Sequence, residues 1–252
     1  MKKKINIAIL IGRAGSKGLP GKNTRKILGR HTVEYPLIAA KKSKLIKHIF
    51  ISSDCNKIKK IARKYDVTDL KRPKYLATSS ALGEDVFQYA YFQAKKYLNK
   101  LNLKINTVTL LFANAATINC NLINKGINLL NKSSYFDSAV TTSVYNMWSP
   151  VRARVKNKNN CLMPFLPLNV ISNPNFNCDR DSQGKMYFAD MSASVVRPKC
   201  LENMKNGLPP QKWMGRKIAS IDSENGCDID YEWQIPSVEF WLKKNGFKSK
   251  NK

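Results

Sequence analysis

Three observations predict an α/β fold built on a mostly parallel sheet. Apolar runs of strand length recur at residues 5–11, 48–53, 107–112 and 138–142, each too short to cross a membrane. Stretches with helical apolar spacing separate them, so strand and helix patterns alternate. The first run opens directly into a loop, INIAILIGRAGSKGLPGKN, that sets Arg13, Lys17 and Lys22 among Gly12, Gly15, Gly18 and Gly21. Loops at the carboxyl ends of parallel strands are where open α/β sheets receive ligands.

The elements follow in order. After the first loop, Thr32 is placed as the cap of a helix running through Lys42, with Pro36 near its first turn. Residues 48–53 form the second strand, ending at Asp54, and 56–65 a helix with Ile58, Ile61 and Ala62 on its apolar stripe. A short segment near Leu70 and a polar loop at 78–83 lead to a helix over 84–98. The run 107–112 is a buried strand, followed by the loop 113–118, a helix through Lys132 and a strand at 138–142. Beyond Ser143 the segments shorten, and 156–160 and 169–177 are turn-rich. Residues 144–185 therefore read as an arm or insertion within one domain spanning 1–252. Regular patterning resumes at 186–189, 194–196 and 217–221, and an amphipathic helix over about 231–244 closes the chain. The tail 248–252 is expected to fray.

Composition narrows the function. A hydrophobic content of 43% supports a real core and argues against global disorder. The net charge of +27 invites a nucleic-acid reading. It comes, however, from 34 Lys against 10 Arg, spread end to end together with 25 Asn. Nucleic-acid surfaces favour clustered Arg forks, so this charge reads as compositional drift. The six cysteines form no CxxC pair and are expected to be reduced thiols. His31 and His48 alone give little material for a His-based triad or metal site. The apolar start mimics a secretory signal, yet Asn6 interrupts it and no small-x-small site follows, so a cytoplasmic protein without membrane insertion is expected.

Three segments are candidates for one ligand site. In the first loop, glycines admit backbone amides close to a ligand and the cations supply charge, which suits polyphosphate; a solvated turn is the alternative. The spacing is neither GxxxxGK[ST] nor GxGxxG, so no helix N-terminus is expected at the phosphates. In GCDIDYE, Asp228 and Asp230 are two apart, and extended backbone points both carboxylates to one side. With phosphate oxygens they would make a hard-oxygen site for Mg2+; two solvated turn residues are the alternative. In the loop 113–118, Asn114 either reads a base edge or caps the next helix.

At these residues the sequence resembles a known family. ILIGRAGSKGLPGKN is similar to the ARGGSKGIPGKN signature of the cytidylyltransferases that make CMP-activated nonulosonic acids, sialic acids among them, and of the related Kdo enzymes. HIFISSD, KIARKYDV, LKRP and the closing DID continue the likeness over most of the chain. The resemblance implies a Rossmann-like nucleotidyltransferase fold with a β-rich arm, and a homodimer that exchanges it. It implies that CTP and an acidic sugar become a CMP-sugar and pyrophosphate. By position, Arg13 and Lys22 would serve catalysis; Gly15, Ser16, Lys17 and Asn23 would hold the nucleotide, with Asn114 beside them; and Asp228 and Asp230 would hold Mg2+.

The departures fall in two places. The family's LLQPTSPLR stands here as LLFANAATI, without its Gln and Arg. On the sugar side, the family's Arg-Gln and Asn-Gly stand as Arg180-Asp181 and Asp190-Met191, flanking Tyr187. Arg180, Tyr187 and Asp190 are accordingly the expected sugar contacts. A carboxylate at Asp181 or Asp190 would repel an acidic sugar unless paired, with Arg180 or Arg197 for instance, so an unusual acceptor is expected. Among enzymes the alternative is a nucleotidyltransferase with another base or sugar acceptor; a non-catalytic nucleotide-binding member is the alternative from another class.

Overall fold

The computed structural model describes residues 2–15, 18–170 and 177–249. Strand β1 (Lys3–Gly12) leads into the long first loop, which carries a small hairpin, β2 (Lys26–Ile27) and β3 (Arg30–His31). Then follow α1 (Glu34–Lys42), β4 (Ile46–Ser53), α2 (Asn56–Ala62), β5 (Thr68–Leu70) and α3 (Gly83–Lys100). Next come β6 (Leu103–Phe112), α4 (Cys120–Lys132) and β7 (Ser138–Val144). A hairpin of β8 (Arg154–Lys156) and β9 (Leu162–Pro164) precedes β10 (Tyr187–Val196), α5 (Pro198–Glu202), β11 (Ile218–Asp222) and α6 (Ile235–Lys244).

Seven strands form one sheet in the order β11-β7-β10-β6-β1-β4-β5. All run parallel except β10, which is antiparallel to both neighbours. The fold class is thus α/β with a mostly parallel sheet. Central β1 shows why its sequence is nearly unbroken apolar: Ile5, Ile7, Ile9 and Ile11 pack on one face with Val86, Phe87, Tyr91 and Leu98 of α3. Ala8 and Leu10 pack on the other with residues of α1, α2, α4 and α6. A strand covered on both faces cannot alternate apolar with polar. No helix among the described residues is long and apolar enough to cross a membrane.

Several boundaries differ from the sequence reading for local reasons. Thr32 caps nothing: its hydroxyl donates to the Lys22 and Arg25 carbonyls at 2.7 and 2.8 Å, tying the long loop back on itself. The helix begins at Glu34, whose carboxylate accepts the His31 amide at 2.7 Å. Asn114 is not a cap either, because Asn119 takes that role by accepting the Leu122 amide at 3.1 Å. The second helix tightens into a 3-10 turn over Arg63–Tyr65, and a 3-10 turn over Glu232–Gln234 precedes the last helix. The runs 186–189 and 194–196 join in one strand, β10, whose pairing slips between Ala189 and Ser194 at a left-handed Met191 (φ 59°). Between β7 and β10 the described residues hold 3-10 turns and the β8–β9 hairpin, which exposes Val155, Leu162 and Met163.

Candidate active site

The site assembles at the carboxyl ends of β1, β4 and β6. Gly12 ends β1 against the next loop: a Cβ there would lie 2.6 Å from that of Ala113, so only glycine lets the two loops touch. Asp54, at the end of β4, accepts the Ala14 amide at 3.1 Å and anchors the loop's start. Buried Asn23 closes it from the other side, donating to the Arg13 carbonyl at 2.9 Å. Gly21 turns the chain in the left-handed region (φ 71°) just before Lys22.

The aspartate segment crosses this loop. Asp230 pairs with Lys22, and Gly18 lies so near the Asp230 carbonyl that an added Cβ would sit 3.1 Å from it. Asn114 joins the segment from below: its side-chain amide donates to Asp228 Oδ2 at 3.1 Å and to the Ile229 carbonyl at 3.0 Å, while its own carbonyl accepts the Ile229 amide at 3.0 Å. Gln234 Oε1 accepts the Asp230 and Tyr231 amides at 2.7 and 2.8 Å. Burial raises the Asp228 pKa and the Asp230 charge adds to the rise, with Lys22 and Asn114 opposing.

A cavity of about 400 Å³ results, walled by Arg13, Lys22, Asn23, Arg72, Asn114 and Asp230. Arg13 reaches the Thr78 carbonyl at 3.5 Å. Arg72 went unassigned in the sequence, although it lies in the LKRP segment. Its guanidinium donates twice to the Leu76 carbonyl, at 2.9 and 2.6 Å, and so stays fixed on the wall. Burial lowers its basicity, Asp54 works against that, and the adjacent Arg13 charge adds to it. Phe112 and Tyr231 complete the lining without any signal in the sequence. Gly15 is exposed in the left-handed region at the lip of the loop. Ser16 and Lys17 lie outside the described residues.

A second cavity, of about 680 Å³, opens on the other side of the aspartate segment, walled by Tyr145, Trp148, Arg180, Asp181, Cys227 and Trp233 among others. Trp233 stacks on Tyr231 with ring centroids 6.3 Å apart and an 11° tilt. Arg180 pairs with Asp181 at 3.2 Å, and Asn146 donates to the same carboxylate at 2.7 Å. Tyr187 is exposed and lines neither cavity. Asp190 is corrected outright as a sugar contact. It is buried beneath the aspartate segment, with both oxygens hydrogen-bonded inside the protein. Arg197 does not pair with it, because its guanidinium donates to the Leu130, Ser133 and Phe136 carbonyls, in the last turn of α4 and just beyond it.

Among the described residues no three His, Cys, Asp or Glu side chains gather as a metal cage. The donor set, two carboxylates beside a cation-lined cavity, fits a hard cation that completes its shell with water and phosphate oxygens.

The site therefore sits on the strand-end loops of a mostly parallel α/β sheet with one reversed strand. A solved CMP:2-keto-3-deoxy-manno-octonic acid synthetase, complexed with CTP, superposes with a TM-score of 0.65 at 12% identity, over 96% of this chain and 99% of that one. The cytidylyltransferase family model matches residues 7–158, and the chain belongs to that family. It is 30% identical to the post-translational flagellin modification protein B of Campylobacter coli, over 97% of this chain and 98% of that one. It is 35% identical to the CMP-N,N'-diacetyllegionaminic acid synthase of Campylobacter jejuni, over 36% of this chain and 39% of the relative.

Proposed function

We propose that this cytidylyltransferase transfers CMP from CTP to an acidic sugar of the nonulosonic type and releases pyrophosphate. The observation that carries the reading is the meeting of Lys22 and Asp230 in one cavity with Arg13 and Arg72. Cations for a triphosphate and a carboxylate for its counter-ion converge from opposite ends of the chain. Family membership and the name of the legionaminic acid synthase support CTP and an acidic sugar as the substrates.

In this reading Arg13, Lys22 and Arg72 neutralise and orient the triphosphate, with Gly15, Ser16 and Lys17 supplying the loop around it. Asn23 and Asn114 hold the walls of the nucleotide cavity. Asn114 has both side-chain N–H bonds committed to Asp228 and Ile229, so it would act on the base through position and its side-chain oxygen. Asp228 and Asp230 would hold Mg2+, which when bound would neutralise charge on the phosphates. The sugar enters from the second cavity, where Arg180 would exchange its partner Asp181 for the sugar carboxylate and Tyr145, Trp148 and Trp233 form the walls. The anomeric hydroxyl gives its proton to solvent water as its oxygen bonds the α-phosphorus. The bond to the bridging oxygen breaks in line, and pyrophosphate leaves with that electron pair. Positioning and charge neutralisation suffice, without a covalent nucleophile. The exposed β8–β9 hairpin is the arm through which the chain would form a homodimer, and a cytoplasmic location accords with the supply of CTP.

Pyrophosphate release from CTP and Mg2+ with a panel of N-acetylneuraminic, legionaminic and pseudaminic acids and Kdo tests the reaction. Release with one sugar establishes it. Silence with all of them, while CTP raises the thermal midpoint no more than UTP, ATP or GTP, would sink it.

A further inference from the structure

Beneath the aspartate segment, between β7 and β10, lies a carboxylate that neither cavity uses. Asp190 is 5% exposed and forms no ion pair among the described residues. Its Oδ1 accepts from Thr141 Oγ1 at 2.5 Å and from the Ser192 amide at 3.1 Å, and its Oδ2 accepts from Ser143 Oγ at 2.8 Å. A carboxylate buried without a cation is costly, so what its hydrogen bonds hold in place matters.

They lead to two consecutive residues. Ser143 Oγ accepts the Gly226 amide at 2.9 Å and also touches the Ser223 carbonyl at 2.7 Å. Ser192 Oγ meets Thr117 Oγ1 at 2.9 Å, and Thr117 Oγ1 accepts the Cys227 amide at 2.8 Å and bonds the Cys227 carbonyl at 2.9 Å. Gly226 itself lies flat on the Asp190 carboxylate, where any Cβ would overlap it. The residue after Cys227 is Asp228. The left-handed Met191 belongs to the same device: the slip it makes in β10 accompanies the inward placement of Asp190 and Ser192.

We propose that Asp190 is a positioning residue for the metal-binding pair. Acting through Ser143 and, by way of Ser192, through Thr117, it fixes the backbone at Gly226 and Cys227. It thereby sets where Asp228 and Asp230 stand opposite Lys22. The inference rests on the metal reading of those two carboxylates. It also explains why an amide should serve at position 190. Asn would accept from Thr141 and Ser192 through its oxygen and donate to Ser143, whose hydroxyl would then turn fully to the Ser223 carbonyl.

The test is a Mg2+ titration of the thermal midpoint of the CTP-loaded chain, alongside direct Mn2+ binding and CTP binding without metal. Asp190→Ala and Ser143→Ala are each expected to raise the metal half-saturation at least about tenfold. Asp190→Ala, which cuts both branches, should lose at least as much as Ser143→Ala, and the double variant should lose less than the product of the two, since the Ser143 branch is shared. Asp190→Asn should return to within about threefold of wild type, and metal-free CTP binding should move less than about twofold in every variant. A metal half-saturation within about twofold of wild type in Asp190→Ala overturns the inference, as does an equal loss of metal-free CTP binding. If Asp190→Ala fails to fold, Ser143→Ala decides by the same thresholds. A wild-type chain indifferent to Mg2+ would overturn the metal reading and this inference together. A metal-dependent wild type with an unmoved variant overturns the inference alone.

Discussion

The two cavities flanking the aspartate segment differ in kind. One is walled by the cations Arg13, Lys22 and Arg72, held by backbone carbonyls and by Asp230. The other is larger and walled by Tyr145, Trp148 and Trp233, with Arg180 as its cation, already paired to Asp181. Charge is concentrated where a polyphosphate would lie, and ring surface where a less charged partner would lie. Residues 226–234 separate the two and contribute to both, through Asp230 and Tyr231 on one side and Cys227, Trp233 and Gln234 on the other. In the proposed reaction each cavity would take one substrate, so each half could be perturbed separately.

The largest effect is expected at the boundary. Asp230→Ala should lower metal-dependent turnover at least about 1000-fold, since charge neutralisation at a phosphoryl centre is worth several kcal/mol. Circular dichroism should show the fold intact. Normal turnover would remove Asp230 from the machinery and, with it, the division between the cavities. Lys22→Ala should cut turnover at least about tenfold, with the acceptor KM unmoved, because one phosphate contact is lost. An unchanged rate would return Lys22 to the role of a solvated loop residue.

Asp137 supplies a perturbation outside both cavities. Burial pushes its pKa up, but Lys199 at 2.6 Å and the Arg216 and Lys217 amides at 3.0 Å prevail and hold it at about 2, below its ordinary 3.8. A pKa depressed in the folded state stabilises above the unfolded value and loses that contribution as pH falls through the folded one. Asp137→Asn should therefore cost about 2 kcal/mol by urea unfolding above about pH 4, a gap that closes toward pH 2, with CTP and acceptor KM both unchanged. A gap that persists undiminished at the acid end would contradict the pairing. The smallest effect is expected from Trp233→Ala, which should raise the acceptor KM about fivefold and leave the CTP KM alone, in keeping with one lost aromatic contact. A shift in CTP KM instead would erase the distinction between the halves.

The sheet and the first loop are legible in the sequence because their information is local. The unbroken apolar run of β1 announces a strand covered on both faces, and the glycines and cations of the loop sit within a dozen residues. Asn114 is not legible, because its partner Ile229 lies 115 residues away. Arg72 is visible as part of a motif, but what fixes it is a carbonyl four residues on, in a turn the pattern does not reveal. Asp190 is misread for another reason. Sequence reports that a carboxylate is present, but not the slip in β10 at left-handed Met191 that accompanies its inward placement. Thr32 fails similarly: a good capping residue spends its hydroxyl on two loop carbonyls instead.

The contact between Lys22 and Asp230 also lets the two side chains neutralise one another. A phosphate that draws Lys22 away leaves Asp230 a bare anion, and a cation that draws Asp230 away leaves Lys22 a bare donor. Each arrival improves the ground for the other, and by thermodynamic reciprocity the two improvements are equal. In the proposed reaction nucleotide and metal would thus be coupled by one ion pair that neither contains, before any contact between them is counted.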